Sequence, residues 1–94
     1  MQDSNQLLAA PAMSKLKWRC RRGLLENDLF IERFFERFGA ALTVGQADAL
    51  GALMDLSDND LLDVHRARKT LQQVEPNLDR DDVHRVLSML RTPR

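Results

Sequence analysis

The sequence predicts an all-α protein, a compact bundle of about five short helices. Three observations predict it. Apolar residues recur at three- and four-residue steps along most of the chain. Serine, threonine and aspartate stand just ahead of the periodic segments, where helix caps belong. Helix breakers are few, with three prolines and four glycines in 94 residues, and β-branched residues are scarce. A chain of this length makes one domain and buries roughly 60–65% of its unfolded surface. That supports a modest core and leaves no room for a deep active-site cavity.

Residues 1–13 read as a flexible leader, residues 14–91 as the helical bundle and residues 92–94 as a frayed tail. The first helix is expected from about Ser14, its N-cap, to Arg21. Gly23 then marks a tight corner. The second helix, about Leu24 to Ala40, has the clearest periodicity: Ile31, Phe34, Phe35, Phe38 and Leu42 share one face. Glu32, Arg33, Glu36 and Arg37 fill the other positions, and Gly39 is the expected terminator.

Thr43 and Gln46 form a T-x-x-Q capping box that opens a third helix, with Ala47, Leu50, Leu53 and Met54 facing inward. Ser57 or Asp58 caps a fourth helix expected to carry Leu61, Val64 and Leu71. Pro76 and Asn77 break the chain. Asp79 is the expected cap of the fifth helix, with Asp81 and Asp82 in the first turn, where the helix dipole favours acids. Val83, Val86, Leu87 and Leu90 form its apolar stripe.

Formal net charge is zero, but Lys15, Lys17, Arg19, Arg21 and Arg22 crowd into eight residues without an acid. A neutral total argues against a dedicated nucleic-acid binder, which needs a broad basic surface. The compact block still permits a local anionic partner, so a small regulatory, antitoxin-like nucleic-acid module using residues 15–22 is the alternative function. The single cysteine, Cys20, excludes an internal disulfide and suits a reducing compartment. No apolar run is long enough to span a membrane. The first residues carry neither a basic secretory n-region nor an arginine-rich transit peptide, so a cytoplasmic, bacterial location is expected.

No catalytic or metal constellation is legible. His65 and His84 lie on separate predicted helices without ligand-spaced partners and read as surface or boundary residues. Cys20 has no nucleophile context and reads as a small buried hydrophobe. Asp55, Asp58, Asp60 and Asp63 lack the glycine and glutamate of a calcium loop and read as caps and a solvated face.

The informative stretch runs from Lys15 to Asp28. Arg22 and Glu26 are four apart and would share a helix face, with Gly23 between them giving either an unusual backbone angle or close approach by another surface. Two readings stay open. One is a structural corner with an internal arginine–carboxylate pair and Trp18 in the core. The other is an interface patch, since tryptophan and arginine are enriched at binding hot spots.

The string Arg22-Gly23-Leu24-Leu25-Glu26-Asn27-Asp28 resembles the RGxxExD signature of the SdhE family, also called succinate dehydrogenase assembly factor 2. The resemblance extends through Trp18, Cys20 and Arg21, the Phe34–Phe35 pair, the capped helix after Thr43 and the stretch Asp58-Asn59-Asp60-Leu61-Leu62. It covers about Lys15 to Leu90. One departure concerns the fourth helix, where many members carry a tryptophan and then a glycine. Val64 and Ala67 stand there, and the helix is expected to continue through Arg68 and Lys69.

The resemblance implies a five-helix bundle without catalytic activity that promotes covalent attachment of FAD to the flavoprotein subunit of succinate dehydrogenase, and in bacteria of fumarate reductase. FAD would belong to the client, and no cofactor of its own, nucleic acid or membrane insertion is expected. Arg22, Gly23, Glu26 and Asp28 would form the functional patch, with Trp18, Arg19 and Arg21 beside it.

Overall fold

The computed structural model describes residues 6–21 and 23–91. The expected tail, residues 92–94, and residues 1–5 of the expected leader lie outside the described residues. Among the described residues six α-helices follow one another: α1 (Ala10–Arg19), α2 (Leu25–Phe38), α3 (Val44–Leu53), α4 (Asp58–His65), α5 (Leu71–Val74) and α6 (Asp81–Arg91). Short 3-10 turns follow α2 at Gly39–Ala41 and α5 at Pro76–Leu78. The all-α bundle predicted from the sequence is therefore the observed fold.

α3 is the centre of the bundle. Ala47, Ala49, Leu50, Gly51 and Leu53 are all buried, so the helix is enclosed on nearly every side, as expected for an apolar sequence without an amphipathic pattern. Its most extensive neighbour is α6, whose Val83, Val86, Leu87 and Leu90 form the predicted stripe and are buried. α2 contributes Phe30, Ile31 and Phe34 to the same core. Thr43 and Gln46 make both halves of the predicted capping box, with Gln46 N donating to Thr43 Oγ1 at 3.2 Å and Thr43 N to Gln46 Oε1 at 3.0 Å. Ser57, rather than Asp58, caps α4, its Oγ accepting from Asp60 N at 3.2 Å.

Four boundaries differ from expectation. The first helix begins at Ala10, with proline in its first turn, and not at Ser14. Just ahead of it, Leu8 N donates to Leu42 O at 2.9 Å and Val44 N to Gln6 O at 2.8 Å, so residues 6–8 pair with the α2–α3 connection. Residues 6–13 thus belong to the folded structure and not to a flexible leader. Gly39 ends α2 as expected, but with helical φ and ψ, and the chain tightens into a 3-10 turn without a left-handed cap. Before α6, the Asp79 carboxylate takes the His84 ring at 2.6 Å, and the helix begins two residues later, at Asp81.

The fourth difference is the largest. α4 does not run through Arg68 and Lys69 to Leu71; it stops at His65, and Leu71 opens α5. Arg66 is the last cap residue, and Ala67 adopts a left-handed φ of 60°. Ala67 N donates to Val64 O at 3.1 Å and Arg68 N to Asp63 O at 2.8 Å, the paired bonds of a Schellman turn. The signal for a new helix was present, because Thr70 and Gln73 repeat the T-x-x-Q box of α3 and make the same two bonds.

Ala67 occupies the conformation that glycine adopts without steric cost. Its side chain is exposed, so little packing would be lost on removing it. Ala67→Gly is expected to stabilise the fold by about 0.5–1 kcal/mol, the relief of the left-handed alanine outweighing the added chain entropy. A urea midpoint at or below that of the wild type would contradict this account.

His65 lies flat on Phe30, with ring centroids 3.7 Å apart and an interplanar angle of 4°, and its Nε2 is 3.1 Å from the Leu90 carbonyl. Burial, with the nearby Arg91 and Arg66 charges, holds it below its ordinary value of 6.5, against the Leu90 hydrogen bond. The unfolded chain therefore takes up the proton more readily than the folded one. This contribution to stability is complete above pH 6.5 and is lost as pH falls from there toward the lower folded value. Between pH values of about 7.5 and 5.5, which bracket the unfolded imidazole, His65→Gln should lose less denaturation midpoint than the wild type. Equal losses would assign the acid sensitivity elsewhere.

Candidate functional site

The corner between α1 and α2 places most of the predicted site residues together. α1 ends with a turn in which Cys20 N donates to Leu16 O at 3.0 Å and Arg21 N to Trp18 O at 3.2 Å. This turn buries Cys20, as expected for a small hydrophobe, and turns Trp18 outward. Trp18 is 73% exposed, with the Arg21 guanidinium 5.4 Å from its ring centroid. The reading that put Trp18 in the core is thereby excluded, and a cation–π contact holds the exposed ring.

A groove of about 620 Å³ runs between α1 and α2 beside this corner, lined by Trp18, Arg21 and Lys17 on one side and by Asp28, Glu32 and Phe35 on the other. Asp28, half-buried in the first turn of α2, and Glu26, exposed in the same turn, lie where the helix dipole favours acids. Gly23 lies at the corner itself. Its backbone is not left-handed, and a Cβ built on it would meet nothing within 4 Å. No local geometry therefore requires glycine here. Arg22, predicted as the central cation of the patch, lies outside the described residues.

Arg19 does not join this cluster. It crosses to the end of α3, where its Nη2 donates to Asp55 Oδ1, in the turn after the helix, at 2.8 Å and its guanidinium covers Gly51. The basic block 15–22 is thus divided: Lys17 lies 5.7 Å from the Phe35 ring and Arg21 beside Trp18, while Arg19 is engaged by an acid. Three residues escaped sequence reasoning. Leu25 and Leu29, 67% and 44% exposed, stand one turn apart on the outer face of α2. Their signal was available, since they fall off the face marked by Ile31, Phe34 and Phe38. Asn27 is the third. It is fully buried, and its Nδ2 donates to Asp58 O at 2.9 Å and Asp58 Oδ1 at 3.3 Å, tying the start of α2 to the start of α4.

Among the described residues, no group of histidine, cysteine, aspartate or glutamate side chains is placed to hold a metal ion, and no helix is long and apolar enough to cross a membrane. His84 is paired with Asp79 and His65 is packed on Phe30, in keeping with their reading as surface and boundary residues.

Fold and site together define a class: a small helical bundle that displays an aromatic, charged and aliphatic surface around an unconstrained glycine. The sequence profile of a family described as "Sdh5: Flavinator of succinate dehydrogenase" matches residues 14–93, and the chain belongs to that family. It is 49% identical over 78 residues to a "FAD assembly factor SdhE" of Ralstonia nicotianae, covering 83% of this chain and 79% of that protein. Proteins of the same description from Coxiella burnetii and Vibrio cholerae are each 40% identical, over 52 and 55 residues. Those matches cover 55% and 58% of this chain, and 63% and 64% of the relatives. No solved structure matches the chain.

Proposed function

We propose that this chain is a non-catalytic assembly factor that binds the flavoprotein subunit of succinate dehydrogenase and promotes covalent attachment of FAD to it. The flavoprotein subunit of fumarate reductase is the second client this reading includes. The observation that carries it is the corner at Gly23: an exposed Trp18–Arg21 pair, exposed Leu25 and Leu29, and a glycine with open space where a side chain would be. These residues contribute little to this fold in their observed positions, and together they have the mixture of aromatic, arginine and aliphatic groups that binding hot spots use.

In this mechanism the factor positions and the client reacts. Gly23 admits the flavoprotein backbone, Trp18 and Leu25 supply apolar anchors, and Arg22 makes a charge-assisted contact that Glu26 orients or complements. Binding stabilises the client conformation in which FAD and its acceptor side chain are in reacting geometry. FAD is held by the client, in the cytoplasm of a bacterial cell. Arg22→Lys keeps the charge and loses the planar fork, so binding should weaken about tenfold if the contact is bidentate. Equal affinity by titration calorimetry would reduce Arg22 to a point charge.

The test of the whole reading is co-expression with an apo flavoprotein subunit, with covalent flavin measured by in-gel fluorescence. A rise in fluorescence with this chain supports the assembly-factor role. No rise, with the flavoprotein folded and FAD supplied, would remove it.

A further inference from the structure

A second groove lies toward the other end of α2. It has a volume of about 550 Å³ and is walled by the C-terminal half of α2 and the ends of α4 and α6. Phe34, Phe38 and Met89 give it an apolar floor. Among the described residues, its rim carries the cations Arg33 and Arg91, with Arg37 and one acid, Glu36, beside them. Arg91 is fixed by neutral partners: its Nε donates to the His65 carbonyl at 3.1 Å and its Nη2 to the Val64 carbonyl. Those bonds hold the guanidinium in place without neutralising it. His65, also in the wall, is held toward its neutral form.

We infer that this groove is a second docking surface for the flavoprotein client, taking an acidic segment that inserts one bulky apolar side chain. The inference rests on the assembly-factor reading. Charge complementarity selects the acidic segment, because carboxylates pair with arginine forks in bidentate geometry. The apolar floor selects an anchored segment, as when an amphipathic helix is laid into a groove. Both surfaces border α2, on its two flanks. The 14 residues of α2 rise about 21 Å, and one side of a standard interface covers about 800 Å², a patch roughly 30 Å across.

Arg33→Glu tests it, because Arg33 is exposed and its reversal leaves the core untouched. Affinity of the full chain for the flavoprotein subunit is measured for the wild type, Arg33→Lys, Arg33→Glu and Gly23→Arg. The Met89 ε-methyl resonance of methyl-labelled wild type is followed in the same complex. The expected result is a loss of about tenfold or more for Arg33→Glu, a smaller loss for Arg33→Lys, and a shifted Met89 methyl on binding. An unchanged Arg33→Glu affinity or an unmoved Met89 methyl overturns the second surface, while the Gly23 patch stands if Gly23→Arg still abolishes binding. If the wild type binds no flavoprotein, the assembly-factor reading fails and this surface falls with it.

Discussion

Gly23→Arg is expected to leave the bundle folded and to abolish recovery of the flavoprotein subunit. Its two halves have separate physical grounds. In the free protein a Cβ at Gly23 meets nothing within 4 Å and the backbone is not left-handed, so an added side chain extends into solvent. Stability should change by no more than about 0.5 kcal/mol, as for other surface substitutions. In the complex, the same side chain enters the space between Trp18 and α2 that the partner is proposed to fill. A clash at the centre of an interface is worth about 3 kcal/mol or more, which is over a hundredfold in affinity. Thermal unfolding and pull-down of the flavoprotein, run on one preparation, separate the two. A folded variant that still recovers the flavoprotein would remove Gly23 from the interface.

The second large effect concerns stability. Asn27→Asp is expected to destabilise the bundle by about 3 kcal/mol or more near neutral pH, as for other uncompensated buried charges. Asn27 is fully buried and donates through Nδ2 to the Asp58 carbonyl and carboxylate. The substitution removes that donor and places a second carboxylate beside the first, at a fully buried position. Burial and the neighbouring charge raise the folded pKa of the introduced carboxyl above its unfolded value of about 3.9. Its neutral form is therefore the tolerated one, and the deficit relative to wild type grows as pH rises above about 4 and shrinks on acidification. Denaturant midpoints of both proteins at pH values of about 7 and 4.5 measure this. A deficit independent of pH would mean that water reaches the introduced carboxyl.

Much of the bundle was legible because its signals are local. The α6 stripe and the Thr43–Gln46 box depend on residues three or four apart, which a helix brings together regardless of the rest of the fold. The end of α4 was not legible. Alanine is the best helix former, so Ala67 reads as helix continuation, and nothing local announces that it turns left-handed. Only the second T-x-x-Q box, at Thr70 and Gln73, marked the restart.

The candidate site divides along the same line. The signature marked the corner around Gly23, but the spacing of Trp18 fits a buried and an exposed ring equally well. Its exposure follows from how the turn at Cys20 aims α1 against α2. Arg19 reads as one more cation of the basic block, yet its partner Asp55 is 36 residues away and becomes adjacent only after α3 docks on α1. Asn27 reads as a polar filler inside the signature, and its partner Asp58 is similarly remote in sequence.

The pairing of α3 with α6 has a consequence for biosynthesis. α3 is enclosed on nearly all sides, and the neighbour that covers it most is the last helix of the bundle to be made. A nascent chain that has emerged as far as α5 therefore leaves the α6-facing side of α3 uncovered until α6 follows. A stalled or prematurely released fragment lacking α6 should be taken up by holdase chaperones and proteases.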